Sequence, residues 1–524
     1  MEKNNVFIIL KAFLVLFFFL FFFYPLTLIL LKSFTGKISF FDVIYSNKKL
    51  IWNSFFQAGI STFFCVLIGI PAAFILARRD FFGKKFVKAL TLIPFVFPSI
   101  LVVISFVIIF GNNGWINVFL KNFFGLEKPV MFLYGFQGII LAHVFYNFPL
   151  VMRFVSGAWE NLDKTMKETA KTLGANKLQV FWKITLPQLL PSIIAGASLV
   201  FIYCFMSFAI VLSLGGIQFS TLEVEIFRQI TRNLAFETGA MLALFQFIVL
   251  SFVGFIYFRF SKKFEIKEKV NKEKTKKLNL IERIFLLAIV LAVLLPIISL
   301  VFFAFFNETG FTLKAFEKIF SSYSSLTGTN PLSSVYYSLI LALIASVTAT
   351  LLGLIASLKQ SRISLMNVFV SSSIAVSVIT LGLGYYLGFG SGNLLVIALG
   401  HSILAFPFSF RVINNALNKI DQESLDSART LGANEIQLFK KIQFPRIKNA
   451  LLVSLAFCFA VSLGELGLVL LLYDGVYATM PVYIYRLLGT FDLAAATAMG
   501  LILIAISFIA FYSIEFFSKN EQVF

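Results

Sequence analysis

The sequence predicts an all-α, polytopic membrane protein with about twelve transmembrane helices in two parallel homologous halves. Apolar residues make up 59% of the 524 positions and charged residues only 13%, which is far from the composition of a soluble domain. Runs of about 20 apolar residues, long enough to cross a bilayer as a helix, recur along the whole chain. One polar stretch also occurs twice, at residues 168–187 and 426–445. A chain that repeats itself at half its length is expected to contain two homologous halves.

Hydrophobicity predicts six spans in each half, and two halves with an even number of spans share one orientation in the membrane. The repeat is therefore parallel, related by an axis along the membrane normal, and a pathway is expected between the halves. The predicted spans are 7–31, 53–77, 87–110, 135–157, 190–214, 238–260, 281–306, 333–358, 365–388, 393–415, 449–472 and 493–517.

The charge distribution predicts the orientation and the domain boundaries. Lys and Arg are concentrated after the second span and in a lysine-rich linker, as expected for segments on the cytoplasmic side. We predict a first half over 1–260, a cytoplasmic charged linker over 261–280 and a second half over 281–524. Both termini are then cytoplasmic, and the net charge of +19 needs no nucleic-acid partner.

The repeated stretch is the most informative motif. Aligned from residues 168 and 426, the two 20-residue windows agree at 11 positions. The pairing continues without a gap upstream, where His143 matches His401. The two copies lie in loops between predicted spans four and five and between spans ten and eleven. We name residues 160–187 the first repeat loop and residues 418–445 the second repeat loop.

Local physics predicts a helix, a tight turn and a second helix in each loop. In the first repeat loop Asp163 is an expected helix cap, Gly174 is placed to end that helix in the left-handed conformation, and Asn176 can cap the next helix. Pro187 then leads into the following span. One alternative is an amphipathic element that only anchors the chain at the membrane surface, with the apolar stripe Leu162, Met166, Ala170 and Leu173.

The pattern E-x-A-x-x-x-G, nine residues and I-x-L-P resembles the signature loop of ATP-binding-cassette (ABC) importer permeases. The departures are mild, since Thr169 and Ser427 replace a usual Ala, Asp426 replaces Glu and Phe444 replaces Leu. In that family the short helix of the loop docks on an ATP-hydrolysing subunit. The resemblance implies coupling roles for Glu168, Ala170, Leu173, Gly174 and Pro187, and for Asp426, Ala428, Leu431, Gly432 and Pro445.

The same resemblance implies the partners and the location. Such a chain pairs with two copies of an ABC ATPase subunit and an extracytoplasmic substrate-binding protein, in the cytoplasmic (inner) membrane of a bacterium. The sequence contains no G-x-x-x-x-G-K-[ST] pattern, so we expect no cofactor in this chain, with ATP and Mg²⁺ on the partner ATPase. We also expect no catalytic residue, and the transport function makes the chain a non-enzymatic subunit.

Polar side chains inside predicted spans are candidates for the substrate path because they are costly at membrane depth. For the two histidines the alternative is a structural bond to a neighbouring helix, and for Glu465 it is an ion pair inside the bundle. No Cys or carboxylate lies one helical turn from either histidine, so the spacing predicts no metal site. The candidates are His143, Tyr146, Asn147, His401 and Glu465.

The substrate prediction rests on resemblance. The fused two-half design resembles permeases for thiamine and for ferric iron, and three stretches look more like the thiamine type: 134–147, 207–216 and 462–467. A secondary carrier of the major facilitator type is the remaining alternative. Its loop between spans two and three has charged residues in a different order from Ala77–Lys85 here.

Overall fold

The computed structural model describes residues 5–35, 38–91, 93–162, 164–216, 219–261, 276–307, 310–320, 330–358 and 372–517. Helices account for nearly all of this part of the chain, which confirms the all-α prediction. In chain order they are α1 (Asn5–Phe18), α2 (Tyr24–Phe34), α3 (Phe40–Ser46), α4 (Lys48–Arg78), α5 (Lys84–Leu90), α6 (Ile93–Val96), α7 (Ser99–Phe110), α8 (Trp115–Phe124), α9 (Phe136–Glu160), α10 (Lys164–Thr172), α11 (Lys177–Val180), α12 (Leu186–Phe205), α13 (Ala209–Leu214), α14 (Leu222–Thr231), α15 (Phe236–Ser261), α16 (Leu280–Phe305), α17 (Lys314–Phe320), α18 (Pro331–Ser357), α19 (Val378–Phe389), α20 (Leu394–Asn418), α21 (Gln422–Thr430), α22 (Glu435–Leu438), α23 (Phe444–Leu463), α24 (Gly467–Leu472), α25 (Met480–Gly489) and α26 (Leu493–Phe517).

Within the described residues, 11 helical segments are long and apolar enough to cross a membrane. A shorter apolar helix, α19, lies at the position of the ninth predicted span. The sequence estimate of about twelve spans therefore agrees with the described helices. Three π-helical turns (Phe19–Phe23, Phe181–Thr185 and Phe439–Gln443) connect neighbouring α-helices without a break.

Three predicted spans, the third, fifth and eleventh, are not single continuous helices in the structure. The third span, predicted as one helix over 87–110, is divided into α5, α6 and α7. Pro94 and Pro98 lie at the divisions, and proline lacks the N–H group that a continuous helix needs. The fifth and eleventh spans are each interrupted near their ends, between α12 and α13 and between α23 and α24. Both interruptions come at matching positions of the two halves.

Short extended segments make two minimal ladders among the described residues. β1 (Arg79–Asp80) pairs in parallel with β2 (Lys276–Lys277), and β3 (Phe306–Asn307) pairs antiparallel with β4 (Gly310–Phe311). Of the predicted linker, Ser261 and residues 276–280 are described, and residues 262–275 lie outside the described residues.

The chain divides into two compact units. The first unit comprises residues 44–225 and 248–302, and the second comprises 1–43, 226–247 and 303–524. The limits of the units come from contacts between residues in the folded chain, whereas the predicted half boundaries at 260 and 281 come from the sequence repeat. Those half boundaries stay a prediction.

The first unit is built on close packing of α4 with α9 and α12. Gly69 of α4 permits this approach, because a side-chain carbon there would lie 2.8 Å from Cβ of Val151 on α9. Nearer the start of α4, the hydroxyl oxygen of Ser54 accepts a hydrogen bond at 2.8 Å from the N–H of Leu222, the first residue of α14. Van der Waals contact between helices at small residues is a principal source of helix association in membranes.

The second unit repeats this packing with α18, α20 and α23. Gly353 of α18 faces α20, where a side-chain carbon would lie 3.0 Å from the Phe410 backbone nitrogen. The Ser338 hydroxyl accepts a hydrogen bond from the Met480 N–H at 2.8 Å, at the start of α25. The same glycine approach and the same serine contact therefore occur in both units, which supports two homologous halves.

The N-terminal helices pack within the second unit. The Tyr385 hydroxyl of α19 donates to the Phe21 carbonyl at 2.9 Å, and the Phe18 and Phe406 rings lie 4.8 Å apart. In the first unit, the beginning of α16 is held by Arg79, whose guanidinium bonds both carboxylate oxygens of Glu282 at 2.6–2.9 Å. The first helix of each sequence half thus packs on helices of the other half.

Candidate functional site

Both repeat loops end their first helix in the same turn. Gly174 and Gly432 each have φ of +84°, the left-handed conformation that glycine adopts without steric cost. The N–H of Gly174 donates to the Lys171 carbonyl at 3.0 Å, and the N–H of Gly432 donates to the Arg429 carbonyl at 2.9 Å. The turn predicted from glycine position alone is therefore present in both loops.

The next helix of each loop begins with the same reciprocal cap. The Asn176 side chain accepts from the Gln179 N–H at 2.8 Å, while the Gln179 side chain accepts from the Asn176 N–H at 2.9 Å. Asn434 and Gln437 form the same pair of bonds at 3.0 and 2.9 Å. Such a capping box satisfies two N–H groups that lack a helical partner. The cap fixes the direction in which each short helix leaves its turn.

A π-helical turn joins each short helix to the following span, and the proline of the motif stands in the first turn of that span. Pro187 and Pro445 are the second residues of α12 and α23, helices that directly follow a π-helical turn, so the missing proline N–H falls where the regular helical bonding already changes. The capped helix, the π-helical turn and the span are thus joined without a break in each loop.

Both copies of the motif carry a strongly exposed leucine. Leu173 and Leu431, each directly before its glycine, are 84% and 88% exposed. In the first repeat loop Leu178 and Trp182 are also exposed. Exposed apolar side chains in such a group are typical of an interaction site.

The acidic residues of the motif lie on the loop surface. Glu168 is bonded by Lys164 at 2.7 Å, and Asp426 is bonded by Arg429 at 2.8 Å. Ala170 and Ala428 are half-buried. Ala428 packs against a core that consists of Ile413, Ile420, Leu425, Leu438 and Ile447. The carboxylates therefore pair within their own helices, and Ala428 joins the first helix of the second loop to its support.

The predicted helix caps and the apolar stripe have mixed outcomes. Asp421 accepts from the Glu423 N–H at 3.2 Å at the start of α21, whereas Asp163 lies outside the described residues. Of the stripe in the first loop, Leu162 is buried, but Met166 and Leu173 are exposed. The stripe is therefore not buried as a whole against this chain.

The two loops differ in chemistry at the tip of the short helix. Trp182 in the first loop corresponds to Lys440 in the second, and Lys177 corresponds to Glu435. Glu435 is bonded by Arg429 at 3.4 Å. The first loop therefore presents an aromatic ring where the second presents an ammonium group.

The base of the first repeat loop is tied to the segment that follows α4. Arg78 donates to the Trp159 carbonyl at 2.9 Å, and Lys88 donates to the Glu160 carboxylate at 2.9 Å. Partial burial, and then the nearby Lys88 ammonium, lower the pKa of Lys84. These contacts fix the end of α9, from which the loop departs.

Among the substrate-path candidates, the two histidines are buried, at 1% exposed each. His401 Nδ1 lies 2.7 Å from the Ser462 hydroxyl, and its Nε2 lies 3.2 Å from a Glu465 carboxylate oxygen. That second contact has the distance of an ion pair without the alignment of a hydrogen bond.

Glu465 itself bonds the start of a helix. Its two carboxylate oxygens accept from the N–H groups of Gly467 at 2.7 Å and Leu468 at 3.0 Å. These are N–H groups that a helix start leaves without a helical partner. The carboxylate therefore joins α24 to His401 across the interruption of the eleventh span.

His143 has different neighbours in the first unit. Its Nδ1 lies 3.2 Å from the Ser61 hydroxyl of α4, and one turn along α9 the Asn147 amide donates to the His143 carbonyl at 3.0 Å. The same amide reaches the Cys204 sulfur at 3.4 Å, and the Gln57 amide donates to the Cys204 carbonyl at 2.8 Å. Gln57 and Ser61 are one turn apart on α4, so that helix turn and the four hydrogen-bond contacts together form a closed circle. We name Gln57, Ser61, His143, Asn147 and Cys204 the polar ring.

Sequence reasoning found two members of the polar ring, His143 and Asn147, and missed Gln57 and Ser61. The available signal was their spacing of four residues inside an apolar span, which places both side chains on one helix face. Tyr146 is half-buried and is not among the ring contacts.

The described residues contain no group of three or more His, Cys, Asp or Glu side chains placed to hold a metal ion. The three cysteines are buried and unpaired with one another. A cavity of about 310 Å³ in the first unit is lined only by apolar residues, including Phe145 and Phe285. It offers no partner for a charged solute.

Comparison with known proteins gives two matches to one family model. The model for binding-protein-dependent transport system inner membrane components matches residues 66–265 and again 275–521. The chain is 26% identical to the thiamine transport system permease protein ThiP of Escherichia coli (strain K12) over 482 residues, or 88% of this chain and 87% of that protein. It is also 26% identical to ThiP of Haemophilus influenzae over 87% of this chain and 86% of that protein.

A shorter relative matches one half. The chain is 31% identical over 245 residues to the putative 2-aminoethylphosphonate transport system permease protein PhnU of Salmonella typhimurium, which covers 45% of this chain and 85% of that protein. A whole relative thus corresponds to about half of this chain, as expected for a fusion of two permease domains. The chain belongs to the family of binding-protein-dependent transport system inner membrane components and is a fused two-domain permease of an ABC importer.

Proposed function

We propose that this permease imports thiamine, driven by two copies of an ABC ATPase subunit and supplied by an extracytoplasmic substrate-binding protein. The similarity to thiamine permeases over 86–87% of their length is the observation that carries the substrate. The ferric-iron prediction from the sequence serves as the competing substrate. The family excludes the secondary carrier.

The two repeat loops are the proposed docking sites for the ATPase subunits. Leu173 and Leu431 supply exposed apolar contact area, and the left-handed glycines fix the angle between the two helices of each loop. Since each loop continues into a span through a π-helical turn, a movement of the docked subunit is transmitted to α12 or α23. ATP-driven closure of the ATPase dimer then shifts the permease between inward-open and outward-open states.

This function requires both loops, both termini and the linker on the cytoplasmic side of the inner membrane. The concentration of Lys and Arg in those segments supports the orientation. ATP and Mg²⁺ bind to the ATPase subunits, because this chain has no phosphate-binding loop of the required pattern.

Glu465 acts in this proposal as a positioning residue and does not bind a cationic substrate directly. Both oxygens of its carboxylate are bonded to backbone N–H groups of α24, next to His401. Its proposed role is to hold the interruption of the eleventh span in one geometry while the path opens and closes.

A crosslinking experiment tests the docking. The photoreactive residue p-benzoyl-phenylalanine is placed at Leu173 or Leu431, and at Phe491 as a matched control that is also exposed, at 89%, but lies outside the loops. Crosslinks to the ATPase from the two leucine positions and none from Phe491 are expected. No crosslink from either loop in an intact complex would overturn the docking proposal.

Uptake tests the substrate. Radiolabelled thiamine is offered to proteoliposomes that contain the permease and ATPase, with ATP on the ATPase side and the binding protein on the other. ATP-dependent accumulation is expected. Accumulation of ferric iron and not of thiamine would replace the proposed substrate.

A further inference from the structure

The polar ring of the first unit contains polar atoms without partners. Gln57, His143 and Asn147 are 0%, 1% and 2% exposed. Within the described part of the chain, Gln57 Oε1, His143 Nε2 and Asn147 Oδ1 have no hydrogen-bond partner. Buried polar groups are nearly always bonded, so three such atoms on one ring require an explanation.

The orientations of the two amides are fixed by the protein. The Gln57 nitrogen donates to the Cys204 carbonyl, and the Asn147 nitrogen donates to the His143 carbonyl. Rotating either amide would place an oxygen against a carbonyl oxygen, which repels it. Gln57 Oε1 and Asn147 Oδ1 are therefore true acceptors. Both belong to side chains that contact the same residue, Cys204.

The equivalent region of the second unit does not have this arrangement. Counting from the paired residues Gly69 and Gly353, Gln57 and Ser61 correspond to Leu341 and Ala345. Counting from the paired histidines His143 and His401, Asn147 corresponds to Ala405. The fold of a half therefore does not need these polar side chains at these positions.

We propose that the polar ring binds a small hydrogen-bond donor, held by the amide oxygens of Gln57 and Asn147 with His143 beside them. The donor is neutral or cationic, because the site offers amide oxygens and an imidazole nitrogen and its members include no Lys or Arg side chain. Two sources carry this chemistry: a resident water molecule, or an N–H or O–H group of the transported solute. Only the second source rests on the proposed function.

The test uses the permease–ATPase complex in lipid nanodiscs, and the first measurement is a density map at a resolution that shows ordered water. A resident donor gives density within hydrogen-bond distance of Gln57 Oε1 or Asn147 Oδ1. That density is lost in Gln57→Met, which keeps the length of the side chain and removes the acceptor.

The second measurement is thiamine transported per ATP hydrolysed in proteoliposomes. If the donor belongs to the solute, Gln57→Met and Asn147→Leu lower this ratio at least fivefold. The matched control is Thr350→Val on α18, since Thr350 is also buried but its hydroxyl is bonded to Ser454 at 3.2 Å.

The outcomes separate the sources. Density with an unchanged ratio assigns the site to resident water, and a reduced ratio in both ring variants, with the control unchanged, assigns it to the solute. No density and no change in the ratio would overturn the proposal. If the unaltered complex transports no thiamine, the proposed function fails, and the density alone decides whether the ring holds a donor.

Discussion

Replacing the turn glycines by valine is expected to uncouple ATP hydrolysis from transport. Gly174 and Gly432 both have φ of +84°, and a side-chain carbon at either would meet nothing within 4 Å. Valine would therefore be opposed by the backbone conformation alone. A residue with a side chain in the left-handed conformation costs roughly 1–2 kcal/mol.

That cost lowers the ratio of the native turn to altered turn conformations by about 5- to 30-fold at each loop. For the double variant the costs add to roughly 2–4 kcal/mol, because each cost arises from the backbone conformation of one glycine within its own turn. The expected result is a fall of at least fivefold in thiamine transported per ATP hydrolysed by the Gly174→Val, Gly432→Val permease. Membrane insertion, measured by detergent extraction and gel filtration, is expected to be normal.

Gly125 provides a matched control. It ends α8 in the left-handed conformation, with φ of +66° and equally open surroundings, but it lies outside both repeat loops. Gly125→Val therefore meets a similar conformational cost without altering a proposed docking site, and its transport ratio is expected to be normal. Asparagine tolerates the left-handed conformation, so Gly432→Asn should retain most coupling. Normal coupling in the double valine variant, or an equal loss in Gly125→Val, would refute the role of the two turns.

Three further substitutions test packing, capping and docking. Gly69→Leu is expected to destabilise the first unit by about 1–3 kcal/mol through overpacking, measured by thermal aggregation. The control Gly59→Leu, on the same helix, places its side chain in open space and should change the stability little. Equal losses of stability in the two variants would contradict the close packing at Gly69. Glu465→Ala should lower the stability by about 1–3 kcal/mol, because it leaves the buried N–H groups at the start of α24 without an acceptor. Glu465→Gln retains one side-chain oxygen and is expected to lower the stability less. Equal protease sensitivity of the two variants would refute this role of Glu465 at the start of α24. Trp182→Lys, which introduces the residue type of the second loop, should weaken ATPase binding severalfold by light scattering or interferometry, and unchanged affinity would show that this ring does not contact the partner.

The repeat loops were largely predictable because their determinants are local. A glycine at a helix end, an asparagine at the next helix start and a proline in the first turn of a span each act within a few residues. The matching conformations of Gly174 and Gly432 follow from that chemistry. The exposure of Leu173 was not predictable from its helical spacing, because the same apolar stripe fits burial against the chain and docking on a partner.

The interruptions and the polar contacts depend on distant parts of the chain. Pro94 and Pro98 gave a visible signal for dividing the third span, which the apolar composition outweighed. Nothing local shows that Glu465 meets backbone N–H groups, since a carboxylate in a span equally fits an ion pair or a substrate contact. Gln57 escaped notice because its counterpart in the second half is apolar, so the repeat did not mark it.

The sequence also did not predict which helices pack together in each compact unit. The repeat assigns α1 and α2 to the first half, but Tyr385 and Phe406 hold them in the second unit. An apolar helix carries little information about which of several apolar surfaces it will contact. That choice is made by specific packing, as where Gly384 of α19 allows the Pro25 backbone to approach closely.

ATP hydrolysis by the reconstituted complex tests the central claim most directly. The permease and its co-expressed ATPase are placed in liposomes, and hydrolysis is measured with empty, thiamine-loaded and iron-loaded binding protein. We predict stimulation by the thiamine-loaded protein in the unaltered permease, and none in the Gly174→Val, Gly432→Val variant. Equal stimulation of the two permeases would contradict coupling through the repeat loops, and stimulation by iron-loaded protein alone would contradict thiamine as the substrate.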